Sequence, residues 1–316
     1  RGADVTVDFV AQWGGPTYAV ATVGNRAYIG IGPRLVVLDI STPASPVLLG
    51  QTPPLAGVVQ GVAIAGNYAY LAASAAGLIV INIANPASPV RVGGCPTLEY
   101  AQSVAVAGNY AYVADSYSGL QIINVANPAS PTRVGGYDSP GYTWDVSVSG
   151  NYAYLASQDI GLEVVRIATP SAPARVGLYS SPYIIALTYA AGYVYLSDIL
   201  NGFEIVSVAN PAAPVRVGFD DMLSGWSVTV ANGCAYLTNY ELLDIVSVVN
   251  PAAPEWLGTC DLKDWGRDAA VAGSYAFVAD GAAGLQVIDV ANPTDPARVG
   301  GYEHASGSAA NVAIAN

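Results

Sequence analysis

Apolar and polar positions alternate through most of the chain in short runs, and the runs recur. In SVAVAGNYAYVAD, residues 103–115, Val104 and Val106 fall on one face and Ala105 and Ala107 on the other. That is the period of a β-strand. Gly108-Asn109, set between two such runs, predicts a tight hairpin, because both residues tolerate positive φ. YAYVA then makes a second strand and SYSG turns the chain. LQIINVA (120–126) is the near-continuous apolar run of a strand covered on both faces. After NPASP, TRVGGY (132–137) predicts a short fourth strand. β-Branched residues, glycines and two prolines per copy disfavour helix throughout.

The same unit is written seven times. Its Pro-x-x-Pro loop begins at Thr42-Pro43, Asn85-Pro86, Asn127-Pro128, Thr169-Pro170, Asn210-Pro211, Asn250-Pro251 and Asn292-Pro293, at intervals of 40 to 43 residues. A period of about 40–45 residues with four antiparallel strands per copy describes a propeller blade. Residue size fits a radial arrangement. The first strand is rich in Ala and Val, as a crowded axis requires. Tyrosines of the second strand, among them Tyr70, Tyr112 and Tyr154, are placed to fill the widening gap between blades. Because they recur at equivalent positions they read as core, not as a ligand site.

GLIVINIANPASP (77–89), GLQIINVANPASP (119–131) and GLQVIDVANPTDP (284–296) resemble the LVIVD repeat of bacterial and archaeal surface proteins. The resemblance covers nearly the whole chain. It implies a β-propeller, secreted or attached to the cell surface, and names no reaction. The motif's final Asp is replaced by Asn, Arg or Ser in most copies.

The expected fold is a single all-β domain over residues 1–316, a seven-bladed β-propeller of four-stranded antiparallel blades. Two terminal segments are surplus to it. VTVDFVAQW (5–13) reads as an extra outer-type strand and ANVAIAN (310–316) as an extra inner-type strand. The alternative that uses both is an eight-bladed ring with an incomplete blade. Unpaired strands are also sticky edges, so a second expectation is self-assembly into a homo-oligomer, filament or array by strand addition.

Composition narrows the picture further. The 316 residues carry a net charge of −12, with 53% hydrophobic and 11% charged residues. Thirty-four Gly and 21 Pro fit a buried, turn-rich protein and not a disordered one. No apolar run is long enough for a transmembrane helix. The acidic balance, without a Lys/Arg cluster, argues against nucleic acid and anionic membrane surfaces. Cys95, Cys234 and Cys260 form neither a CxxC pair nor a disulfide framework and read as small core residues. The chain begins at Arg1 without a signal peptide, and reads as a processed form or an excerpt.

Strand connectivity sorts the loops onto two faces. Loops from strand two to three and from strand four to the next blade share one face, where most acids lie. Glycine hairpins and Pro-x-x-Pro loops share the other, with Arg91, Arg133, Arg175, Arg216 and Arg298 nearer to it. Counting six residues back from each hairpin glycine, or from its alignment equivalent, gives a ring at the mouth of the axial channel: Tyr18, Gln60, Gln102, Trp144, Ala186, Trp226 and Arg267. These vary while the rest of the repeat stays alike, as positions on a recognition surface would. Trp144 and Trp226, with Asp145 and Asp221 beside them, suggest stacking on and hydrogen bonding to a sugar. The expected ligand-binding set is therefore Tyr18, Gln60, Gln102, Trp144, Asp145, Asp221, Trp226, Asp264 and Arg267, facing a protein or glycan partner.

Catalytic chemistry has less to work with. The only histidine is His304, so a Ser/His/Asp triad or a His-based metal site is not expected, and neither is a cofactor. Loop carboxylates at Asp220-Asp221, Asp261, Asp264 and Asp268 leave a polysaccharide-active enzyme as the competing class. Asp115, Asp198 and Asp280 recur at one repeat position, where a carboxylate can cap the turn. The reading taken is a non-enzymatic extracellular scaffold.

Overall fold

The computed structural model describes residues 15–303. They form seven four-stranded antiparallel sheets, each in simple up-and-down order and each built from consecutive strands. Blades one to seven span residues 17–51, 61–95, 103–137, 142–179, 184–220, 227–261 and 266–302. The ring is therefore the seven-bladed propeller expected, not an eight-bladed one. Blade seven closes directly on blade one, and no blade among the described residues mixes strands from the two ends. The predicted terminal strands 5–13 and 310–316 lie outside the described residues, as does His304.

The core is a set of wedges between neighbouring blades. Tyr28, Tyr70, Tyr112, Tyr154, Tyr195, Tyr236 and Phe277 occupy one position of the second strand and are all buried. Each pairs across the ladder with a small or hydroxyl residue of strand one, such as Ala63, Ala105 or Thr229. The aromatic ring has room because its neighbour is small. The three cysteines are free and buried.

The Pro-x-x-Pro loop does two things. Its Asn makes an Asx turn: the Oδ1 atoms of Asn85, Asn127, Asn210, Asn250 and Asn292 accept the N–H two residues on. The same loop also locks blades together. A β-carbon on Gly93, Gly135, Gly177, Gly218 or Gly258, in strand four, would overlap the Pro-x-x-Pro backbone of the following blade. Gly50 meets the blade-two loop in the same way, and Gly300 meets Ala44 of blade one, which closes the ring. The prolines and the strand-four glycine thus belong to one interface, repeated seven times.

The last residue of the LVIVD-like strand is also structural. Asp39, Asn82, Asn124 and Asp289 each accept the N–H two residues on through Oδ1. Asn serves this turn as well as Asp, which explains the substitution. The strand-four arginines reach back to strand three, where Arg133, Arg175, Arg216 and Arg298 bond Gln121, Glu163, Glu204 and Gln286. Glu163 is fully buried and accepts from Ser139 and Ser157 on Oε1 and from Arg175 and Tyr137 of the preceding blade on Oε2. A buried carboxylate is tolerated because every lone-pair direction is taken.

Candidate binding face and axial channel

The channel-mouth ring forms through a local backbone device. At Tyr18, Trp144, Ile185 and Arg267 the ladder between strands one and two slips by one residue. Such a bulge re-aims the extra side chain. In blades two, three and six the equivalent Gln60, Gln102 and Trp226 sit just ahead of strand one, each N–H bonded to the end of strand two. Blade five corrects the sequence count. Its ring residue is Ile185 and not Ala186, because its hairpin is Ala191-Gly192, with glycine second where the usual turn has it first.

Seven residues, Tyr18, Gln60, Gln102, Trp144, Ile185, Trp226 and Arg267, line one axial cavity of about 260 Å³ together with Asp145 and Asp268. Most fold back onto their own blade. The residue fourteen positions later supplies the partner: Gln60 donates to Ser74, Gln102 to Ser116, and Trp144 through Nε1 to Gln158. Trp226 meets Tyr240 edge-on at 6.1 Å. In blades one and seven that partner position is Gly32 and Gly281. Tyr18 and Arg267 instead face each other across the ring closure, with the guanidinium 5.6 Å from the tyrosine ring centre.

Deeper in the channel, Asp145 and Asp268 staple adjacent inner strands. Asp145 accepts the N–H groups of Val146 and, in the next blade, Leu187. Asp268 accepts those of Ala269 and, across the closure, Val20, with Ser227 donating from the other side. Both keep a partial opening to the lumen while protein surrounds them. Burial pushes both carboxyls up, and Asp268, further raised by repulsion from Asp145, reaches about 7.

The predicted sugar clamps do not assemble. Trp144 is held by Gln158 and packs 4.5 Å from Tyr142, while the Asp145 oxygens are committed to backbone N–H groups. Asp221 is exposed on the loop between blades five and six and lines neither the channel nor the pocket beside it. Asp264 accepts the N–H of Ala282 and packs against Gly281, outside the lumen. Asp115, Asp198 and Asp280 cap loop backbone as expected, bonding the N–H groups of Leu98 and Glu99, Leu200 and Asn201, and Lys263 and Asp264.

The sequence reading missed the pocket next to the channel. A cavity of about 650 Å³ opens on the acid-bearing face over blades five and six. Its apolar lining comes from Ile185, Ile199, Met222, Leu242 and Leu262, and its rim carries Asn239, Glu241 and Asp261. Trp226 lines both this cavity and the channel. Tyr240 stands edge-on between Trp226 and Trp265, 5.2 Å from the latter. Met222, Tyr240 and Trp265 remain 86%, 56% and 43% exposed, an aromatic and thioether edge left open to solvent.

These features define a β-propeller whose repeat builds the ring and whose departures from the repeat gather on one face. The LVIVD repeat family model matches residues 14–52, 56–97, 99–139, 140–181, 190–219 and 266–304. The chain belongs to the LVIVD repeat family. Blade six, which carries Trp226 and Tyr240, falls between the matched segments. Among curated proteins there is no match. Solved structures share the fold at low identity. Hydrazine synthase of Kuenenia stuttgartiensis is 14% identical, with a TM-score of 0.69, over 92% of this chain and 99% of that one. The β-propeller domain of Myceliophteria thermophila Cps50 (Swd1) is 11% identical, with a TM-score of 0.69, over 84% and 92%. U3-55K is 9% identical, with a TM-score of 0.70, over 89% and 90%.

Proposed function

We propose that this protein is a non-enzymatic binding scaffold, extracellular or on the cell surface, that takes a protein partner on its acid-bearing loop face. One observation carries the reading: the 650 Å³ cavity, with the Trp226–Tyr240–Trp265 wall beside it, lies where the chain departs from its own repeat. An aliphatic floor suits an apolar side chain better than a sugar, and the rim carboxylates Glu241 and Asp261 favour basic neighbours. The extracellular placement rests on the resemblance to surface proteins.

A displayed peptide library and a glycan panel, screened in parallel, test the reading. Apolar peptides flanked by basic residues should be enriched, and a folded Tyr240→Ala/Trp265→Ala variant should bind them at least tenfold more weakly. Binding that ignores this double variant overturns the site. Turnover of a glycan that disappears in Asp264→Asn overturns the scaffold in favour of an enzyme. Label applied to intact source cells should reach the protein without lysis; labelling only after lysis overturns the placement.

A further inference from the structure

Arg267 stands apart from every other arginine for which the structure gives a strand-three partner. It makes no ion pair and no hydrogen bond with a described residue, and its Nε is sealed from solvent without a partner. Three aromatic rings surround the guanidinium, those of Tyr18, Trp226 and Trp265, at 5.6, 5.3 and 5.1 Å from ring centre to guanidinium carbon. Such contacts offset part of the desolvation of the cation but satisfy none of its N–H groups. In the partner position fourteen residues on, where most blades supply a side chain, blade seven has Gly281. That position therefore supplies no side chain to the cation, and the Asp145 and Asp268 oxygens that share its cavity are bonded to backbone N–H groups instead.

We infer that Arg267 is an anchor for a carboxylate of a polypeptide partner, bound at the channel mouth with the neighbouring apolar side chain in the 650 Å³ cavity. The inference rests on the protein-binding reading above and names the chemistry of its partner. With Nε buried behind the rings, the two Nη nitrogens remain for an end-on pair with two oxygens, which suits a flat carboxylate. A net charge of −12 disfavours a dianion such as phosphate more than a monoanion. Trp226 is common to both cavities, so an apolar side chain and a carboxylate from adjacent atoms of one chain can be held together.

The experiment is a titration followed by the fluorescence of Trp226 and Trp265. The probes are a lysine-containing tetrapeptide ending in leucine with a free α-carboxylate, its C-terminal amide, the amide form with glutamate beside the leucine, and glucuronate. The free acid should give a saturable response, and the amide should bind at least tenfold more weakly. A glutamate probe that restores binding shows that a side-chain carboxylate serves the anchor as well as a chain end; one that does not restricts it to a chain end. Arg267→Gln should weaken the acid to the level of the amide and abolish discrimination between them. Arg267→Lys, which keeps the charge and loses the fork, should fall between. Equal binding of acid and amide to the native protein overturns the inference, and so does discrimination that survives in a folded Arg267→Gln protein. Tighter binding of glucuronate than of the peptide overturns it in favour of an acidic glycan. If acid and amide bind equally but Tyr240→Ala/Trp265→Ala abolishes both, the anchor is wrong and the binding face stands.

Discussion

Asp268 illustrates how one side chain here serves closure at an electrostatic cost. Its oxygens accept N–H groups on both sides of the last blade junction, yet the surrounding protein favours the neutral acid. The sign follows from linkage. Its folded value of about 7 lies above the ordinary carboxylate value of 3.8, so folding takes up a proton between the two. The stabilisation is complete below about pH 4 and is lost as pH rises through about 7. Chemical denaturation should therefore show higher stability at pH 5 than at pH 8, and Asp268→Asn should flatten that slope. Asparagine offers one acceptor oxygen where the carboxylate offers two, so the slope and not the absolute stability is the readout. A variant slope equal to that of the native protein would show that other carboxyls carry the pH dependence. Arg267, next along the chain, has the opposite chemistry: a fixed charge in an aromatic enclosure that no described residue pairs as an ion.

At the scale of the element, the repeated loop that dominates the sequence is a joint and not a site. Gly135 has an ordinary backbone, and what forbids a side chain there is the Pro170 carbonyl of the next blade. Gly108 sits at φ +55° with open space around it, so its cost is conformational alone. Gly108→Ala should lower stability by about 1 kcal/mol, in line with a left-handed hairpin residue. Gly135→Ala should cost about 3 kcal/mol, because two backbones must separate. Equal melting temperatures for the two variants would remove the interlock from the account. The alternation, the glycine hairpins and the Asn turns made the strands legible in sequence, and the channel ring with them. The placement failed only in blade five, where Ala191 took the position glycine usually holds and the count ran from Gly192; blade six has Asn232 there, and its alignment still gave Trp226. What pairs with each ring residue was not legible, because the partner lies across the second strand in a loop of different composition each time. Tyr240 was missed for that reason, and Trp265 because it reaches Tyr240 from the connection between blades six and seven. Glu163 was missed because an acid inside a β-branched run shows its four donors only once the blades are stacked.

Over the whole molecule, every junction seats a strand-four glycine against the Pro-x-x-Pro loop of the next blade, and the junction between blades seven and one does so too. Gly300 seats the Ala44 loop, Thr17 donates to the Gly281 carbonyl, Asp268 reaches Val20, and Arg267 faces Tyr18. A ring closed by ordinary contacts needs no covalent continuity at any particular blade boundary. It should therefore tolerate circular permutation: residue 303 joined to residue 15 through a short linker, with the chain opened between Pro53 and Pro54. Those two residues have no N–H to lose. The 52–60 connection that would be cut lies outside the four-stranded sheets, so blades one and two each keep all their strands. The permuted chain should show the native circular dichroism and a melting temperature within about 5 °C of the original, since about 1 kcal/mol corresponds to 2–4 °C in a protein of this size. Opening the chain instead between Gly108 and Asn109 severs the first hairpin of blade three, leaving an inner strand to be recaptured across the whole ring, and should cost far more. If the first permutant fails to fold while the second succeeds, blade boundaries are not the joints of this molecule, and the closure between blades seven and one depends on more than the contacts that hold the other six junctions.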